Sequence, residues 1–155
     1  MRVFILLFLF LCVGISACDS TRLFEENTDF EDRIWVSAEH PTFVVKVPDH
    51  NQSYTIKANF RNSLEYPKAN IYYRFLLMDS LGSAVEEKLI SNFLFDEKTG
   101  KPFGSSGLGD IFDHQFPVLE NYKFNYSGEY KIQLEQFMRM DTLEGILSAG
   151  VRVEK

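Results

Sequence analysis

From Tyr54 to Arg61 the chain reads Tyr, Thr, Ile, Lys, Ala, Asn, Phe, Arg. An apolar side chain occupies every second position and a polar one lies between. A period of two suits a pleated strand with one buried face and cannot build the apolar stripe of a helix. The pattern recurs. Phe43, Val45 and Val47 alternate with Val44 and Lys46, and Leu147, Ala149, Val151 and Val153 alternate near the C-terminus. From Gly128-Glu129-Tyr130 onward, Tyr130, Ile132, Leu134, Gln136 and Met138 form one face, while Lys131, Gln133, Glu135 and Arg139 dominate the other. Ile71, Tyr73, Phe75 and Leu77 alternate too, but Tyr72, Leu76 and Met78 make the opposite face apolar, which marks a central or interface-facing strand. Residues 85–95 are ambiguous between a helical turn and a strand, and the flanking turns favour strand. Phe116–Leu119 reads as a short strand, with Pro117 placing it at an edge. The expected fold is all-β: an antiparallel, immunoglobulin-like β-sandwich of about 7–8 strands. YSGEY at 126–130 resembles the tyrosine corner of such sandwiches, with Tyr130 as the residue whose hydroxyl ties back to the loop.

The N-terminus carries a different signal. Met1-Arg2 precedes an apolar run from Val3 to Ile15, 13 residues long. That length fits the h-region of a signal peptide and is too short to span a bilayer as a helix. Ile15-Ser16-Ala17-Cys18 follows and resembles the lipobox of bacterial lipoproteins. The resemblance implies cleavage before Cys18, a diacylglyceryl group on its thiol and acylation of the new amine. Residues 1–17 are then the signal peptide, residues 18–33 an acidic tether, and residues 34–155 the β-sandwich domain, with Trp35 opening the folded part. The chain has two cysteines, Cys12 and Cys18. One leaves with the signal and the other carries lipid, so the mature domain holds no disulfide, Cys metal site or Cys nucleophile. Removing Arg2 takes the formal charge from −6 to −7. Without a basic patch, nucleic acid is excluded as a partner. The membrane link is then the acyl chains on Cys18, since several chains together anchor stably.

The residues suggest no enzyme and no cofactor. The loop Gly104-Ser105-Ser106-Gly107-Leu108-Gly109-Asp110 has the glycines of a phosphate cradle but no Lys after them. It reads instead as a close-approach contact loop, with Gly104, Ser105, Gly107, Leu108, Gly109 and Asp110 as candidate partner-binding residues. Asp113-His114 lies near Asp110, yet no paired metal-ligand spacing accompanies it, so no metal site is assigned. The G-x-S-x-G spacing of a serine hydrolase is absent. The acid pairs Glu86-Glu87 and Asp96-Glu97 are adjacent in sequence, so on strands they point to opposite faces. Aromatic residues make up 15% of the chain. Tyr66, Tyr72, Tyr73, Tyr122, Phe124 and Tyr126 can serve either the core or a protein- or glycan-binding face.

Several short motifs together carry a family resemblance. Asn62-x-x-x-Tyr66-Pro67-x-x-Asn70-Ile71-Tyr72 is followed by Gly107-Leu108-Gly109-Asp110-Ile111 and Gly128-Glu129-Tyr130. Met138-Arg139-x-Asp141-x-Leu143-x-Gly145-Ile146 and Gly150-Val151-Arg152-Val153-Glu154 complete the set. With the lipobox, this looks like the gliding motility lipoprotein GldH family of Bacteroidota, although Phe103 stands where a Trp is expected in many members. The resemblance implies a non-catalytic cell-envelope lipoprotein, most simply of the outer membrane. It further implies a scaffold or assembly role in gliding motility and type IX secretion machinery, alongside other envelope proteins. A surface glycan-binding module is the alternative.

Overall fold

The computed structural model describes residues 20–107 and 109–155. Cys18, Leu108 and the signal segment lie outside the described residues. Eleven strands follow one another: β1 (Arg22–Asp29), β2 (Ile34–Val36), β3 (Thr42–Val47), β4 (Tyr54–Ser63), β5 (Asn70–Met78), β6 (Ala84–Phe93), β7 (Ser105–Ser106), β8 (Ile111–Tyr122), β9 (Gly128–Gln136), β10 (Thr142–Glu144) and β11 (Ile146–Glu154). A single 3-10 turn over Glu31–Arg33 is the one helical element among the described residues.

Two antiparallel sheets make the sandwich. One has the order β1-β11-β4-β8-β7 and the other β3-β9-β5-β6. A small ladder of β2 and β10 lies at one end. The expected sandwich is therefore present, and the ambiguous 85–95 segment is strand as far as Phe93, within β6. Its long strands pair in a nested way: β1 with β11, β3 with β9, β4 with β8, and β5 with β6. The chain thus behaves as one long hairpin rolled on itself, which is jelly-roll connectivity. The first strand joins the last, and the sheets do not group as they do in an immunoglobulin domain. The loops consequently sort into two ends. Residues 30–41, 64–69, 94–110 and 137–145 gather at one end. Residues 48–53, 79–83 and 123–127 gather at the other, with the start of β1 and the end of β11.

The alternating residues fill the space between the sheets. Tyr54, Ile56, Phe60, Phe75, Ile132 and Leu134, the expected core, are all buried. Aromatic rings close both ends. At the first, Trp35 is fully buried, stacks on Phe30 at 5.1 Å and lies 6.2 Å from Phe60. At the second, Phe124 packs against Tyr54, Tyr122 and Tyr130 at 5.5, 5.1 and 4.7 Å. There Tyr130 Oη donates to the carbonyl of Tyr126 at 3.1 Å and accepts from the Tyr126 N–H at 3.0 Å. This is the tie that the YSGEY motif predicts.

Two segments differ from the sequence reading. Phe116–Leu119 is part of a twelve-residue strand, β8. Pro117 still sits at an edge, because β7 covers only Phe112 and Asp113. The second difference concerns residues 22–29. Their acids suggest a solvated tether, but they form β1, paired along β11. The reason is cross-strand. Glu25 accepts from Arg152 at 3.0 Å, from Asn59 and Gln115 at 3.2 Å each, and from Arg22 at 3.2 Å. Leu23 and Phe24 pack on the core, and Phe30 is buried in it. The folded body therefore begins at Arg22, ahead of Trp35. Gly150 opposite Asn27 permits this pairing, since a Cβ there would fall 2.0 Å from Asn27 Oδ1 and 2.4 Å from the Glu26 carbonyl oxygen.

Candidate partner-binding site

The glycine loop lies at the Trp35 end of the sandwich and folds as a tight hairpin. Ser105 and Ser106 pair with Asp113 and Phe112 as β7. The Gly107 N–H donates to the Ile111 carbonyl at 3.2 Å, and the Leu64 N–H donates to the Asp110 carbonyl at 3.1 Å. Gly109 has φ +65°, the left-handed conformation that glycine adopts without penalty. Ser105, Gly107, Gly109 and Asp110 are exposed on this projection. Gly104 serves differently. A Cβ there would lie 2.7 Å from His114 Nε2 and 2.7 Å from the Asp113 carbonyl oxygen, so it lets the backbone cross over His114. The hairpin brings Ser105, Gly107, Gly109 and Asp110 onto one exposed projection and leaves Gly104 beneath it.

A second feature lies at the same end, on the outer face of the β3-β9-β5-β6 sheet. Just past β9, the Phe137 N–H donates to the Tyr72 carbonyl at 2.8 Å, and the Tyr72 N–H reaches Met138 Sδ at 3.2 Å. Buried Gln136 bends the chain here, donating to the Met140 carbonyl and accepting from the Met138 N–H, each at 2.9 Å. A groove of about 640 Å³ results, lined by Lys68, Tyr72, Phe137, Met138, Arg139 and Met140. Phe137 is 54% exposed and Tyr72 45%. Phe93, on the neighbouring strand β6 opposite Asn70, is 45% exposed, and Phe103 beyond it 59%. The aromatic set thus divides. Tyr66, Tyr73 and Phe124 are core, whereas Tyr72 and Tyr126 are exposed. Sequence reasoning missed Phe137. Its signal is position: after Lys131, Gln133 and Glu135, it continues the polar register of β9 with a large apolar ring.

The polar face of the other sheet is a charge ladder. Arg61 pairs with Asp113 at 2.7 Å, Arg152 bridges Glu25 and Glu154, and Lys57 pairs with Glu154. Lys57 and Arg152 hold the Glu154 carboxyl below the usual carboxylate range. A polar depression of about 240 Å³ lies between Glu25, Asn59, Arg61, Asp113 and Gln115. Asp113 and His114, adjacent in β8, point to opposite faces. Asp113 meets Arg61 outside, while His114 is buried beside Phe116 at 5.6 Å. Burial lowers the His114 pKa, and its Nε2 has no hydrogen-bond partner among the described residues. Among the described residues no three His, Cys, Asp or Glu side chains are grouped to hold a metal ion. Nor is any described helix long and apolar enough to cross a membrane.

Comparison with known proteins gives the arrangement its context. The chain is similar to the gliding motility lipoprotein GldH homolog of Christiangramia forsetii, at 30% identity over 97% of this chain and 94% of that one. Among solved structures, it is similar to the VP2 subviral particle protein of infectious bursal disease virus, with a TM-score of 0.45 and 13% identity. That match covers 92% of this chain and 37% of the viral one. A similar match, with a TM-score of 0.32 and 7% identity, is to dimeric latent PorU from Porphyromonas gingivalis, of which 14% is covered. Residues 22–153 match the family model described as GldH lipoprotein, so the chain belongs to the GldH lipoprotein family.

Proposed function

We propose that this protein is a non-catalytic, lipid-anchored scaffold or assembly component of the gliding motility and type IX secretion machinery. In this reading Cys18 is acylated after cleavage of the signal peptide, and the outer membrane holds the anchor. One observation carries the reading. The start of β1, which follows Cys18, lies at one end of the sandwich, and the exposed apolar groove with the 104–110 hairpin lies at the opposite end. Anchor and recognition surface are thereby separated by the length of the strands. Tyr72, Phe137, Met138 and Met140 suit a protein partner, since Met side chains adapt to irregular apolar surfaces. Lys68 and Arg139 flank the groove, so the occupant is an apolar segment with acidic neighbours on another envelope protein. Ser105, Gly107, Gly109 and Asp110 add a second contact at the same end, with Leu108 joining them in sequence.

The test is affinity capture of the lipidated protein from cross-linked envelopes. Phe137→Asp, and separately Ser105→Asp with Leu108→Lys, should leave the melting temperature within a few degrees of the wild type and reduce partner recovery. Unchanged recovery from equally stable, equally lipidated variants rejects this surface. Retention of the soluble domain on envelope polysaccharide, abolished by Tyr72→Ala, would replace the scaffold reading with the glycan-binding one.

A further inference from the structure

We propose that the end of the sandwich opposite the groove rests directly on the lipid bilayer, with Leu81 inserted among the headgroups beside the acyl anchor. The inference rests on the reading of Cys18 as the lipid-bearing residue.

The first observation is the length of chain between lipid and fold. The tether expected to hold the domain away from the membrane is largely consumed by β1. Cys18 and Ser20 are two residues apart. Each residue spans at most about 3.6 Å, so the lipidated Cα lies within ~7 Å of Ser20. The polar headgroup layer on each side of a bilayer is itself about 5–7 Å deep. Thr21 is fixed to the body, because the Lys155 N–H donates to its carbonyl at 2.8 Å, and β1 starts at Arg22. The end that bears Ser20 is therefore held at the membrane surface.

The second observation is what that end presents. Leu81, at the tip of the β5–β6 turn, is 89% exposed. A single exposed leucine means little on its own. This one is held outward. Asp79 Oδ1 accepts from the N–H groups of Leu81 and Ser83 at 2.9 and 2.8 Å, and the Ser80 N–H donates to Tyr126 Oη at 2.9 Å. Gly82 takes φ +84° to close the turn. Tyr126 stacks on Tyr130 at 4.7 Å, which ties the turn to the tyrosine corner. A ring with an apolar body and a polar tip suits the water–lipid boundary.

The third observation is charge. The loops 48–53, 79–83 and 123–127 contain two acids, Asp49 and Asp79. Both carboxylates accept backbone N–H groups, that of Asn51 at 2.9 Å for Asp49 and those of Leu81 and Ser83 for Asp79. Most other exposed residues there are Ser and Asn, with Lys123 and Lys155 as the cations. The loops of the opposite end carry nine acids against five cations, Arg33, Lys68, Lys98, Lys101 and Arg139. At the end nearest the lipid, Asp49 and Asp79 are thus balanced by Lys123 and Lys155, whereas the loops of the opposite end carry an excess of acids.

Leu81→Cys tests this directly. Cys12 leaves with the signal and Cys18 is blocked by lipid, so residue 81 becomes the single free thiol. The lipidated protein, labelled there with a polarity-sensitive fluorophore, is reconstituted into phosphatidylethanolamine–phosphatidylglycerol vesicles. Emission should shift to the blue and be quenched by lipids spin-labelled near the headgroup. Leu64→Cys, at the far end, should give neither response. Quenching at residue 81 no greater than at residue 64, in protein that floats with the vesicles, overturns the inference alone. A mass showing no acyl group on Cys18 overturns the anchor reading and the inference together.

Discussion

Glu25→Ala separates a docked first strand from a free tether. The Glu25 side chain is 20% exposed and accepts from four side chains, of which Arg152, 14% exposed, is the most buried cation. A hydrogen bond to a charged group contributes about 1.5–3 kcal/mol when partly buried. The Arg22 pair is exposed and adds little. Arg152 keeps Glu154 at 2.8 Å after the change, so its charge is not stranded. Asn59 Nδ2 and Gln115 Nε2 lose an acceptor next to a solvent-open depression and regain water. The net cost is about 2 kcal/mol, which at a urea m-value near 2 kcal/mol/M moves the unfolding midpoint by ~1 M. Trp35, the one tryptophan, lies buried against Phe30 and Phe60 and reports the transition without being touched. Hydrogen exchange supplies the local readout. Amides of Leu23–Asp29 that pair with β11 should be protected in the wild type and lose protection before those of β4 in the variant. A midpoint shift below ~0.2 M, with residues 22–29 exchanging at the rate of free peptide in the wild type, would refute the docking of β1.

Three further outcomes are expected. Phe60→Ala or Phe75→Ala should cost about 3–5 kcal/mol, since both rings are buried and Phe60 also gives up an edge contact with Tyr73 at 4.8 Å; urea unfolding measures it, and a cost below ~1 kcal/mol contradicts the core. Burial depresses the folded-state pKa of His114 below 6.5, so the unfolded chain takes up the proton first. Its contribution is complete above pH 6.5 and falls as the pH drops from there towards the folded-state value; urea midpoints at pH 7.5 and 5.5 should diverge less in His114→Gln, and an equal divergence rejects the assignment. Labelled palmitate should enter the wild type and not Cys18→Ser, and equal labelling of both sinks the lipidation reading.

Most of the sandwich was legible because β3, β4, β5 and β9 each have one dry face and one wetter face, whereas β6 buries no residue fully and its period was unclear. Tyr54–Arg61 and Ala149–Val153 state their register in their own residues, and Tyr130 states its corner; Leu147, read with the second run, lies instead at a bulge, and Ile146 is the buried residue there. Strands of two or three residues, such as Ser105–Ser106 and Thr142–Glu144, are too short for any period to appear. The connectivity was also hidden, since alternation says which face is buried and not which strand lies alongside. Acidic β1 misled because its cations, Arg152 above all, come from the far end of the chain. At the candidate site, the glycines at 107 and 109 announced a turn, but the need for Gly104 depends on His114 across the hairpin. Phe137 was readable as a ring on a polar face, whereas the bend that opens the groove depends on buried Gln136.

The central claim is that the end bearing Phe137 meets a protein partner while the acylated end meets lipid. A photo-crosslinking amino acid placed at residue 137 of the lipidated protein, activated in living cells, tests it most directly. A discrete adduct with another envelope protein is predicted, together with its disappearance when Tyr72→Asp is added to the same chain. Abundant, folded, lipidated protein that yields no protein adduct at residue 137, or the same adduct with and without Tyr72→Asp, would contradict it.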